Sequence, residues 1–169
     1  MNTVLEAWNK VTEAEALEAM IACCGAKRWA DGMVALRPIK SVLELSETAD
    51  RIWATMLEPD WMEAFACHPR IGERKAAHAS AKSTSWSQQE QSQTSAAAEP
   101  VMSLIAAGNA LYEHRYGFTY IICATGKSAE EMLAILQRRL SSTREAELRE
   151  AAEQQRQILQ IRLGKWLIA

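Results

Sequence analysis

At four candidate helix starts along this chain a Ser or Thr stands three residues ahead of a Glu: Thr12 and Glu15, Ser41 and Glu44, Ser87 and Glu90, Ser128 and Glu131. This is the capping-box spacing, in which the hydroxyl accepts an amide of the first helical turn and the carboxylate reaches back to the amide of the cap. Four such starts within 169 residues commit most of the chain to helix. The start at Thr12 predicts a helix to about Cys24, with Leu17, Met20, Ile21 and Cys24 on its buried stripe and Gly25 as terminator. The segment carrying Trp29, Met33 and Leu36 stops before Pro38, because a residue ahead of proline avoids the helical region. Ser41 predicts a helix to about Met56. Pro59 suits the first turn of the next, which ends near Cys67 because Pro69 lies just beyond. Ser87 predicts a helix over 88–97. Glu99 and Pro100 restart a longer one to Tyr116, closed by Gly117. Ser128 predicts a helix to Leu140, and a last helix covers 144–167.

Two stretches break the pattern. Residues 75–85 are rich in Ala, Ser and Lys with little to bury, and read as an exposed loop. Residues 118–124 (Phe-Thr-Tyr-Ile-Ile-Cys-Ala) are aromatic and β-branched, bounded by Gly117 and Gly126, and read as one short extended segment. No second run is present to pair with it, so its backbone groups must find partners elsewhere, and a ligand is one candidate. The expected fold class is therefore all-α, a single-domain multi-helix bundle over residues 1–169 with one extended segment.

Composition narrows the function. A formal net charge of −2 and a pI near 6.0 give no basic face for nucleic acid and no attraction to an anionic membrane. No apolar run approaches the ~18 residues of a membrane helix. The first ten residues lack the basic-then-apolar order of a secretory signal, so a cytoplasmic location is expected. The four cysteines, Cys23, Cys24, Cys67 and Cys123, show neither zinc-ligand spacing nor the density of a disulfide scaffold. They read as reduced thiols.

Four places are candidates for chemistry. His68 falls at a helix end, with Pro69 fixing the exit and Gly72 allowing a turn. An imidazole there suits proton transfer near neutrality, since its ordinary pKa is about 6.5, although a capping histidine would occupy the same place. Ser87, Gln88, Gln89, Glu90 and Gln91 form a capping box that needs no function. Read functionally, the box would aim a helix N-terminus and its amides at a polar, amide-rich molecule. Tyr120, Ile121, Ile122, Cys123 and Ala124 form either a core segment or a main-chain wall for a planar ligand. Arg138 and Arg139 complement a helix dipole, or one of them meets a carboxylate. His78 and His114 read as surface residues.

The segments His68-Pro69-Arg70-Ile71-Gly72, Ser87-Gln88-Gln89-Glu90-Gln91, Asn109-Ala110-Leu111-Tyr112, residues 116–124, and Arg139-Leu140 with Arg144 and Glu147 occur in this order along nearly the whole chain. Together they resemble the 2-oxo-4-hydroxy-4-carboxy-5-ureidoimidazoline (OHCU) decarboxylases, which act between urate and allantoin. The resemblance implies an all-helical homodimer that needs no cofactor, with His68 as the catalytic acid. It implies that Pro69, residues 87–91 and residues 120–124 line the substrate site. Arg139 is a further candidate there, although Ser141-Ser142 stands where relatives often carry an Asn. Two other readings remain open. One is a helical adaptor using residues 75–85 and 144–156. The other is a non-catalytic ureide binder.

Overall fold

Whether a capping box closes depends on both of its bonds forming, and at Thr12 and Ser128 both do. The Glu15 amide donates to Thr12 Oγ1 and the Thr12 amide to Glu15 Oε2; Glu131 and Ser128 exchange the same pair. At Ser41 the hydroxyl accepts from the Glu44 amide, while Glu44 reaches one residue further back, to the Lys40 amide at 2.7 Å. The computed structural model describes residues 2–73, 80–92 and 99–169. Among these the helices are α1 (Thr3–Trp8), α2 (Glu13–Cys24), α3 (Lys27–Ala35), α4 (Val42–Trp53), α5 (Glu58–Ala66), α6 (Ala81–Glu90), α7 (Glu99–Tyr116), α8 (Ala129–Arg139) and α9 (Arg144–Trp166). No strand occurs among the described residues, which makes the chain all-α. Gly25 and Gly117 end α2 and α7 at φ of 85° and 81°, a left-handed region that a Cβ would strain.

The chain forms two units, one of Met1–Ala64 with Arg156–Ala169, the other of Phe65–Gln155. In the first, indoles are anchored at both ends. The Trp8 and Trp29 Nε1–H groups donate to the carbonyls of Ala16 and Ala49, and Trp8 packs edge-on against Trp166 at 5.9 Å. Its α9 residues are tied to α4 by Arg156 on Asp50 and by the Gln160 amide on the Ser46 carbonyl. The short α1, capped by Asn2 with Leu5 rather than a Glu three residues on, was not expected from the sequence.

The second unit holds α6, α7, α8, the first part of α9, and residues 117–126 between α7 and α8. Its center is an aromatic cluster. Tyr112 meets Tyr116, Phe118 and Tyr120 edge-on at 4.7, 5.7 and 5.3 Å, and Phe65 meets Phe118 at 5.5 Å. Offset and edge-on pairs of this kind contribute beyond the area they bury. Gly108 lets α7 approach α8, since a Cβ there would stand 2.6 Å from Leu136 Cδ2.

Two expectations are corrected in this unit. The start expected at Ser87 is instead a helix end: α6 begins at Ala81, capped by Ser80, whose Oγ accepts from the Ser83 amide at 3.1 Å. Ser87 and Glu90 are three apart because they share one face of that helix, not because they open a new one. Residues 81–85 are therefore helical rather than loop, and Ser83 is buried. Residues 75–79 and 93–97, where the rest of the expected loop and of the expected helix fall, lie outside the described residues, as does His78.

Candidate active site

Helix α5 ends at Ala66, and the His68 amide donates to the Phe65 carbonyl at 3.0 Å, turning the chain out of the helix. Pro69 then fixes the exit. His68 is half-buried, with its Nε2 atom shielded from solvent, and Pro69 is buried. The chain continues as a tight turn closed by the Glu73 amide on the Arg70 carbonyl, with Gly72 at φ 90°. The turn is held in two directions. The Gly72 amide donates to Gln91 Oε1 at 2.9 Å, which joins the His68 segment to the end of α6. Arg70 places Nε and Nη2 on the two carboxylate oxygens of Glu113 at 2.8 and 2.6 Å, and Glu113 also accepts from Thr119 Oγ1. Arg70 holds the Glu113 carboxyl below its ordinary range, and Glu113 in turn raises the guanidinium above its own.

Of the predicted residues on α6, Ser87 and Glu90 are buried, Gln91 is half-buried as the C-cap, and Gln88 and Gln89 are exposed. Because the group sits at a helix C-terminus, it offers carbonyl oxygens and the negative end of the helix dipole. That inverts the polarity expected from a helix start.

Tyr120, Ile121, Ile122, Cys123 and Ala124 are all buried. As expected, the segment finds partners for its backbone outside any sheet. The Cys123 amide donates to Gln154 Oε1 at 2.9 Å, the Cys123 carbonyl accepts from Lys127 Nζ, and the Ile121 carbonyl accepts from Arg139 Nη1 at 2.7 Å. Arg139 is therefore turned toward the wall's own backbone. Its Nε lies 2.8 Å from Glu147 Oε2 and its Nη2 donates to the Tyr112 hydroxyl, which itself donates to Glu147 at 2.6 Å. Arg139 and Glu147 are 4% and 2% exposed. Burial pushes the Tyr112 phenol well above its ordinary range, so it stays a donor to Glu147. The Arg139 guanidinium also stacks 4.9 Å from the center of the Tyr120 ring. The sequence offered Arg139 as a substrate contact or a partner for a carboxylate, and it named none of Arg139, Tyr112 and Gln154 as supports of the wall.

Beside the 70–73 turn lies a cleft of about 370 Å³ lined by that turn and by one face of α7, including Glu99, Met102, Ser103, Ala106 and Asn109. Asn109 went unassigned at the sequence level. The signal was its position on the buried stripe of α7, with Ile105, Tyr112 and Tyr116. Among the described residues no group of three or more His, Cys, Asp or Glu side chains is placed to hold a metal ion, and no helix is long and apolar enough to cross a membrane.

These features define an all-helical protein in which one unit gathers a half-buried histidine, a buried carboxylate at a helix end and a buried stretch of main chain. Residues 9–164 match the model of the OHCU decarboxylase family, and the chain belongs to that family. It is 36% identical over 148 residues to the Arabidopsis thaliana "Uric acid degradation bifunctional protein TTL", a match spanning 85% of this chain but only 44% of that protein. It is also similar to the crystal structure of an OHCU decarboxylase in the presence of (S)-allantoin. That match has a TM-score of 0.76 and 30% identity, covering 88% of this chain and 96% of the other. The structure of an (S)-allantoin synthase shares the fold at a TM-score of 0.71 and 17% identity, covering 96% of this chain and 53% of the other.

Proposed function

We propose that this protein decarboxylates OHCU to (S)-allantoin in urate breakdown, with His68 delivering the proton to one face of the ring. The observation that carries the reading is the hydrogen bond from the Gly72 amide to Gln91 Oε1 at 2.9 Å. Through it the turn that follows His68 and the polar end of α6 are fixed against each other.

The substrate has a carboxylate and a hydroxyl on one ring carbon next to a C=N bond. As the bond to the carboxylate breaks, its electron pair flows into the imine and CO2 leaves. The resulting enol takes a proton at the former imine carbon while its hydroxyl gives one up, leaving the ring carbonyl of allantoin. The substrate supplies its own electron sink, so the protein has to orient it, stabilise developing charge and protonate one face. No cofactor is required by that sequence of steps. His68 stands at the helix exit with Pro69 behind it. The carbonyl-rich end of α6, with Glu90 and Gln91, suits the N–H donors of the ureido arm and ring. Along the wall, the Cys123 amide is taken by Gln154, which leaves the amides of Ile122 and Ala124 for ring oxygens. Arg139 contributes by holding the Ile121 carbonyl. Homodimerisation, a single domain over 1–169 and a cytoplasmic setting belong to the same reading.

The test generates OHCU in place with urate oxidase and the hydrolase that follows it, and records optical activity. The wild-type protein should speed formation of one allantoin enantiomer. His68→Asn should lower turnover by about 10²–10⁴-fold, the usual worth of a positioned acid, with unchanged circular dichroism. Racemic allantoin at the spontaneous rate from the wild type would reject the reading.

A further inference from the structure

Asn109 is 2% exposed, and neither its Oδ1 nor its Nδ2 has a hydrogen-bond partner among the described residues. A buried amide with both ends unpaired is rare, because the cost of taking each polar group out of water goes unrecovered. Asn109 also lines the cleft beside the 70–73 turn. We propose that this cleft is a binding site for a neutral amide or ureido group, recognised by Asn109.

The chemistry of the two orphaned atoms selects the ligand. Oδ1 needs a donor and Nδ2 needs an acceptor. A carboxylate or phosphate only accepts, so it would leave Oδ1 unpaired. An ammonium only donates, so it would leave Nδ2 unpaired. A primary amide, the NH2 end of a ureido group or a cis amide in a ring presents N–H and C=O side by side and satisfies both in one planar pairing. Charge points the same way. Among the described lining residues the cation is Arg70, and it already spans Glu113 and Glu73. Glu73 and Glu99 add negative charge to the lining. An anion therefore meets no open cation among the described lining residues, while a neutral ureide meets no charge penalty. Met102 and Ala106 supply apolar surface beside the amide, and Ser103 a further polar group.

The inference does not require the decarboxylase reading, since His68 and Glu90 are not among the lining residues. Its test is direct observation of the Asn109 side chain by NMR of the full-length ¹⁵N-labelled protein. Three probes are titrated: N-methylurea, (S)-allantoin and acetate. A saturable shift of the Asn109 NH₂ pair with N-methylurea identifies a small ureide as sufficient. A shift with (S)-allantoin alone identifies the ureido arm of a larger ring compound as the ligand. Either supports the proposal, and acetate should produce no such shift. Asn109→Leu should weaken binding by about tenfold or more. Ala106→Leu, at an exposed position on the rim, should block the cleft without touching the buried stripe. No shift with either ureide, or an equal one with acetate, would overturn the proposal. Should the protein bind ureides at Asn109 and yet fail to decarboxylate OHCU, only the proposed reaction would be lost.

Discussion

Replacing Glu147 by Gln separates charge from shape in the buried network beneath the wall. In the wild type, Glu147 Oε2 accepts from Arg139 Nε at 2.8 Å and from the Tyr112 hydroxyl at 2.6 Å. The substituted amide keeps an acceptor oxygen at nearly the same place, so both donors retain a partner. What disappears is the countercharge to a guanidinium that is 4% exposed. Breaking a buried pair from one side typically costs ~3–5 kcal/mol, because the surviving charge has lost both water and its partner. With its hydrogen bonds preserved, Glu147→Gln belongs at the lower end, about 3 kcal/mol. Glu147→Ala also orphans two donors, each worth ~1–3 kcal/mol, and should exceed it. The paired change Arg139→Met with Glu147→Leu should recover most of the loss, because a buried pair can often be exchanged for apolar groups at little cost. The remaining deficit is the Ile121 carbonyl without its donor and the buried Tyr112 hydroxyl without its acceptor, each about 1 kcal/mol. Urea unfolding followed by far-ultraviolet circular dichroism measures all of these, provided the slope stays constant across the variants. Tryptophan emission is a poorer choice, because Trp86 is the one indole of six that lies in the Phe65–Gln155 unit. A loss below about 1 kcal/mol for Glu147→Gln, the range of a surface pair, would refute the reasoning. So would a double variant no more stable than the single one.

Other substitutions separate packing from polarity. Asn109→Leu removes two unpartnered polar atoms at similar volume, so thermal unfolding should show unchanged or higher stability, by up to ~1–3 kcal/mol; a clear drop in melting temperature would mean the amide has a structural role. Gly108→Ala gains up to ~1 kcal/mol of helix propensity but places a Cβ 2.6 Å from the buried Leu136 Cδ2. Overpacking at ~1–3 kcal/mol should win, and a higher melting point would contradict that. Arg70 lowers the Glu113 carboxyl below its ordinary 4.5. Its contribution is therefore present above pH 4.5 and disappears as pH falls through the lower folded value. Glu113→Gln should cost ~0.2–1 kcal/mol at pH 7, as a half-exposed pair does, and nothing once both states are protonated. A penalty of the same size in strong acid would disprove the assignment.

The parts of the fold that could be read in advance are those whose signals are local. The boxes at Thr12 and Ser128, and the terminators Gly25 and Gly117, act within one helical turn, so neighbouring residues decide them. The network at Tyr112, Arg139 and Glu147 is of the opposite kind. Its members come from α7, α8 and α9, and each alone looks like an ordinary helix residue. Only the fold reveals that Arg139 grips the backbone of the wall. Asn109 is intermediate. A residue of modest helix propensity on the stripe of Ile105, Tyr112 and Tyr116 breaks the apolar pattern, so its burial was legible. That both ends of its amide lack partners was not.

Helix α6 shows why a correct motif can still point the wrong way. Its buried face is Ser83, Trp86, Ser87 and Glu90, a stripe at helical spacing in which three of four side chains are polar. A search for apolar periodicity passes over it, and the cap that starts it, Ser80, has a Ser rather than a Glu three residues on. Ser87 and Glu90 then present the spacing of a helix start from inside a helix. The physical content of the error is a reversal of polarity, since one end of a helix offers amides and the other offers carbonyls. A site that has to hold the N–H groups of a ureide is better served by the carbonyl end. The misread element thus suits the proposed ligand better in its observed direction than in the expected one. Its buried serines and glutamate are what a polar ligand site demands of a helix that cannot rely on an apolar stripe.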